Sequence, residues 1–264
     1  MKLEPKEFSE NNEFSNTMQL IIGDYLEGLN SQNKGDKQKQ LELCQVGKML
    51  VTYFPEFKIK EIREVPDFLI SNNVLTVGLE HEVVSNFELR KKHGFFENLF
   101  RLAERDLSKG NDTPNLLLNC FLYQDLEFPI ESKAELIENI KEVLNHYLKY
   151  NEIIDNGLIK DIFKQPHNTL SLVPNFGAHM VSDITEEIIQ EAINKKEKKI
   201  ENYRQKTGLP QWLLIIAGGV SEYSYDIEEY LLKDFRIKST FDKVLLMSDF
   251  KNKLYELETV KVFL

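Results

Sequence analysis

The sequence predicts an α/β fold with a mixed central sheet flanked by helices. Two observations carry this reading. Stretches with apolar residues at helical spacing alternate with short apolar runs of strand length, and the alternation continues to the last residues. No internal repeat, low-complexity block or linker interrupts the 264 residues, so a single domain over 1–264 is expected.

The elements follow in order. Residues 1–12 are polar and read as a frayed tail. Phe14, Met18, Ile21, Ile22, Tyr25, Leu26 and Leu29 mark a first helix over 13–30. After a polar loop at 31–40, Leu43, Val46, Leu50, Tyr53 and Phe54 share a face of a second helix that stops at Pro55. The period then changes. Residues 68–70 and 74–84 read as strands joined by a turn at Asn72-Asn73, where asparagine tolerates positive φ. Residues 93–110 form an amphipathic helix with a glycine stop. The apolar run 115–123 reads as a central strand buried on both faces. Ser132 and Glu135 have the spacing of a capping box for a helix to about 150. A strand at 167–176 is demoted at its end by Pro174. Asp183 is expected to cap one long helix from 184 to about 206. Residues 211–219 give the strongest strand signal, 225–235 a short helix, and the segments KVLLMSDF and TVKVFL the last strands.

Composition narrows the function classes. The apolar content is that of a globular fold, and a chain of this length buries a core without staples. Two cysteines, Cys44 and Cys120, make neither a secreted disulfide framework nor a four-cysteine zinc site. The first residues lack the apolar core of a signal peptide and no apolar run reaches spanning length, so no membrane association and a cytoplasmic address are expected. The net charge of −10 argues against broad electrostatic binding of nucleic acid. It leaves room for a local basic face, because screening confines each charge to about 8 Å. His81, His93, His146, His167 and His179 show no zinc spacing, and Ala217-Gly218-Gly219 lacks the pattern of a phosphate loop.

The stretch from Val65 to Glu82 carries the most chemistry. Asp67 opens one strand of the hairpin, and Glu80 and Glu82, two apart on the other, point to one face. Three carboxylates gathered at strand spacing repel unless a cation sits among them, and oxygen-only donors suit Mg²⁺ or Mn²⁺. A plainer reading puts Glu80 and Glu82 on a solvated strand face, with Asp67 capping a turn. Farther on, residues 194–206 hold six Lys and Arg against two Glu, and Lys196 and Lys199 are three apart on one helix face. Their plainer reading is a solvated face.

A Pro-Asp before a strand, then a turn, then a strand ending in apolar-Glu-x, with a helix ahead of the hairpin, resembles the PD-(D/E)XK nuclease superfamily. The resemblance extends to the Lys-rich helix with Tyr203 and to the strand that starts near Trp212, so it covers 65–84 and 184–217. It implies a restriction-endonuclease-like fold and Mg²⁺- or Mn²⁺-dependent hydrolysis of phosphodiester bonds in DNA. Asp67 and Glu80 correspond to the motif's acidic ligands. Glu82 stands where the motif has lysine, and it joins the ligands. Lys196 or Lys199 is then the candidate for the missing lysine. Glu42 and Gln45 match the helix position that adds a contact in some members. The departure at position 82 leaves a second implication open, a nuclease-like fold without catalysis that serves as a protein-binding or assembly module. An unrelated α/β protein is a third.

Overall fold

A computed structural model describes residues 1–9, 11–110, 114–124, 126, 132–177, 180–219 and 221–261. His179 and the final three residues of the terminal segment lie outside the described residues. In chain order the elements are α1 (Asn11–Glu27), α2 (Lys34–Tyr53), β1 (Lys58–Ile62), β2 (Phe68–Ser71), β3 (Thr76–Val84), α3 (Phe87–Leu107), β4 (Leu116–Leu122), α4 (Lys133–Tyr150), β5 (Ile159–Pro166), β6 (Ser171–Asn175), β7 (Ser182–Asp183), α5 (Glu186–Glu197), α6 (Ile200–Thr207), β8 (Gln211–Ala217), β9 (Tyr225–Asp226), β10 (Ile237–Ser239), β11 (Lys243–Ser248), β12 (Lys253–Glu256) and β13 (Thr259–Lys261). The class is mixed α/β, with a mixed multi-strand sheet flanked by helices. Contacts divide the chain into two compact units, 1–85 with 181–264, and 86–180, although the sequence carries no linker at either junction.

The first unit holds a six-stranded sheet in the order β1-β2-β3-β8-β11-β12. β1, β2 and β3 form an antiparallel meander, β3, β8 and β11 are parallel, and β12 closes the far edge antiparallel. Every residue of β8 is buried, which explains its continuous apolar run. Its side chains alternate between two cores. Trp212, Leu214 and Ile216 meet Leu43, Val46, Met49 and Leu50 of α2, while Leu213 and Ile215 meet Ile189, Ile193, Ile200 and Tyr203 of α5 and α6. Each fully buried Leu or Ile contributes roughly 2 kcal/mol, so a two-sided strand at the sheet centre anchors both layers.

Gly78 on β3 permits a close approach that no other residue would. A Cβ there would lie 2.8 Å from Pro66 Cγ and would also strike Gln211 Oε1. Pro66 and Asp67 can therefore lie tight against β3.

The second unit is a three-stranded sheet, β5-β4-β6, with α3 and α4. Its core joins Phe96, Leu99, Phe100 and Ala103 to Leu118, Cys120, Leu122, Ile140, Val143 and Leu144.

Several expectations are corrected. The N-terminal tail is pinned rather than frayed: Leu3 N donates to Leu254 O at 2.9 Å and Lys6 N to Thr52 O at 2.7 Å. β4 is central but buried on one face only, since Leu118, Cys120 and Leu122 alternate with half-buried neighbours. Ser132 makes no side-chain cap bond. The long helix at 184–206 is two helices, and Thr185, not Asp183, caps the first. The segment 225–235 holds β9 and a single 3₁₀ turn, Leu231–Lys233, instead of a helix. Among the described residues, no helix is long and apolar enough to cross a membrane.

The two thiols should react differently. Cys120 is fully buried, and burial pushes its thiol up to about 12; partial burial and Asp249 also raise the Cys44 thiol, but Cys44 is exposed to reagent. Because the thiolate is the nucleophile, a disulfide reagent at pH 8 should modify Cys44 in the native protein and Cys120 only after denaturation. Two native thiols reacting at the same rate would contradict this packing.

Candidate functional site

Asp67 lies just before β2, and the last β2–β3 pair joins Phe68 to Leu79. Beyond that pair β3 continues along β8, with Glu80 opposite Leu213 and Glu82 opposite Ile215. Both glutamates lie on the α5 side of the sheet, where the period of two puts them. Glu80 is 2% exposed, deep for a carboxylate. The hairpin also links its two acids directly, because Asp67 N donates to Glu80 Oε1 at 3.2 Å.

The counter-charge comes from the last turn of α5. Lys196 Nζ lies 2.8 Å from Glu80 Oε2, 3.5 Å from Asp67 Oδ2 and 3.7 Å from Glu82 Oε2. Lys195, mostly in solvent, pairs with Glu82 Oε1. Tyr203 on α6 is buried, and its hydroxyl hydrogen-bonds the Glu80 carboxylate.

The ionisation balance reflects this crowding. Burial pushes the Glu80 carboxyl above the usual carboxylate range, the Asp67 charge adds to the push, and Lys196 offsets part of it. Burial works to lower Lys196, yet the combined pull of Asp67, Glu80 and Glu82 leaves it raised. Burial raises the Tyr203 phenol, and the Glu80 charge raises it further. Asp67, Glu80, Glu82 and Lys196 are thus brought together as the sequence suggested, with the lysine coming from a helix instead of β3.

Lys199 is not part of the group. The chain breaks between α5 and α6, Lys199 heads α6 as an exposed residue, and the shared face with Lys196 is lost. Glu42 pairs with Lys39 at 3.0 Å on α2. Gln45 does have a contact, but with His81 on the opposite face of the sheet. Lys195 was missed within a run of lysines of equal appearance, and only the end of α5 distinguishes it.

The acids alone do not form a ready cage. Among the described residues, no three His, Cys, Asp or Glu side chains are already spaced to hold a metal ion. Comparison with known proteins finds no matching family model, no matching curated protein and no matching solved structure.

Removing the buried ammonium should be costly. Lys196→Met strands three carboxylates in a poorly solvated place, and loss of one partner of such a pair typically costs about 3 kcal/mol. Lys195→Met removes an exposed ion pair, worth about 1 kcal/mol at most. Urea denaturation in chelator checks the contrast, and equal midpoints for the two variants would refute it.

Proposed function

We propose that the chain is a Mg²⁺- or Mn²⁺-dependent nuclease-like protein that hydrolyses phosphodiester bonds in DNA, on a restriction-endonuclease-like fold. The observation that carries the reading is the convergence of Asp67, Glu80 and Glu82 on one cationic atom, Lys196 Nζ. The topology supports it: a helix, a three-stranded meander, then a helix crossover to a parallel strand follow in the order α2-β1-β2-β3-α5-β8, with 86–180 inserted after β3.

The chemistry of the donors suits a hard divalent cation. All three acids offer oxygen, the choice of Mg²⁺ and Mn²⁺, and the point they share already attracts a positive group. Asp67, Glu80 and Glu82 would hold the ion. Once bound, it would lower the pKa of a water and offset charge on the phosphate. Lys196 takes the part of the lysine absent from position 82, held near the acids and able to donate to a phosphate oxygen. Tyr203 keeps the Glu80 carboxylate oriented through its hydroxyl.

One observation favours a second reading, a nuclease-like fold without catalysis that binds a protein partner. Lys196 alone already bridges all three carboxylates.

Metal titration separates the two. Mn²⁺ at a hundred times its dissociation constant should stabilise wild type by about 2.7 kcal/mol, and Asp67→Ala should lose the effect. Cleavage of supercoiled DNA in Mn²⁺ should vanish in Glu80→Gln. It should fall about 10²-fold or more in Lys196→Met, as on loss of a transition-state donor. Absence of any shift at millimolar Mn²⁺ would remove the metal-dependent reading. A shift without cleavage would favour the binding module.

A further inference from the structure

The far face of β3 carries a polar chain that the acidic cluster does not use. His81 is buried and turned towards α2, away from Glu80 and Glu82, and its Nε2 lies 2.8 Å from Gln45 Oε1. Gln45 is itself fixed, because its Nε2 donates to Asp249 Oδ2 at 3.0 Å. A carboxylate only accepts, so the Gln45 amide must present its NH₂ to Asp249 and its oxygen to His81. His81 Nε2 therefore carries the hydrogen and donates. Asp249 follows β11, where Lys48 Nζ grips its Oδ1 at 3.1 Å and its carbonyl oxygen, and its own N–H donates to Ala217 O at 3.1 Å. Every link from the end of β11 to the middle of β3 is thus a directed hydrogen bond.

The chain ends on the acidic cluster. The β2–β3 ladder stops at Phe68–Leu79, so the N–H of His81 lies past the last strand pair. That N–H donates to Asp67 Oδ2 at 2.9 Å. The Asp67 backbone is held by Arg63 N, which donates to its carbonyl at 2.9 Å, and by its own N–H to Glu80, while its carboxylate takes its short contact from this main-chain donor. That donor has two supports, the β3–β8 pairing of His81 with Leu214 and the tether of the His81 ring to Gln45.

We infer that His81, Gln45 and Asp249 are positioning residues whose hydrogen-bond relay, on the face opposite the acids, sets the Asp67 carboxylate and hence the affinity of the cluster for a divalent cation. The inference rests on the proposed cation-binding reading. Partners that orient a metal's ligands without touching the ion typically govern about 10- to 100-fold in affinity.

Calorimetric titration with Mn²⁺ tests it, alongside the urea midpoint of each variant in chelator. Gln45→Met keeps the side chain's length and removes both hydrogen bonds, and it should weaken Mn²⁺ binding by about ten-fold or more. Asp249→Leu should do the same from a half-exposed position, which keeps the test open if the buried variant fails to fold. Asp249→Asn retains an oxygen acceptor for Gln45 and should restore affinity close to wild type, which a merely structural role of the loop would not predict. Wild-type affinity in Gln45→Met or Asp249→Leu, or equal weakening in Asp249→Asn and Asp249→Leu, would overturn the relay while leaving the cation reading intact. Wild type that binds no Mn²⁺, or Asp67→Ala that binds it as well as wild type, would overturn the cation reading and the relay with it.

Discussion

Three carboxylates on one face of a buried sheet need a positive charge among them, and the rest of this structure is arranged around that need. Two unit charges about 4 Å apart interact by about 4 kcal/mol at the effective dielectric of a protein surface. Glu80, almost without solvent, cannot dilute that repulsion. The ammonium of Lys196 answers it, which obliges the end of α5 to lie over the middle of β3. Gly78 contributes by letting Pro66 and Asp67 press against the same strand. The position of the acids is therefore a consequence of backbone packing, and the position of the lysine is a consequence of the acids.

The break between α5 and α6 serves the same end. In one continuous helix, Lys196 and Tyr203 would sit seven residues apart, roughly 10 Å along the axis. Both instead reach Glu80. The break is anchored by Glu197, whose carboxylate accepts from Thr240 Oγ1 at 2.9 Å and Ser239 Oγ at 3.1 Å. These bonds hold the last turn of α5, and the buried Ile200 starts α6. The lysine-rich run reads as a uniform solvated face only until this bend sorts it. Lys196 goes inward, Lys195 goes to the rim, and Lys199 goes to solvent.

This sorting also explains what was legible from sequence. Period-two alternation placed Glu80 and Glu82 on one face and His81 on the other, because a strand has only two faces to choose from. Pro66-Asp67 and the Asn72-Asn73 turn marked the hairpin. The two-sided burial of β8 was visible in its unbroken apolar run. The failures have a common cause, in that tertiary partners decided them. The helix at 184–206 has unbroken helical periodicity, and its break depends on Ser239 and Thr240, some 40 residues later. The pinned N-terminal tail pairs with Leu254 and Thr52, which no local pattern reveals. The His81–Gln45–Asp249 chain joins residues more than 200 apart, and each looks ordinary by itself.

The charge balance of the cluster separates a purely structural lysine from one that shares its place. A structural pair is usually matched one to one, because each unmatched buried charge costs several kcal/mol. Here three carboxylates face one buried ammonium, and the second lysine stands largely in solvent, where its field is screened. The cluster is left negative, and the Glu80 carboxyl is raised, first by burial and then by the Asp67 charge. In the proposed reading, that excess negative charge is what a divalent cation would answer.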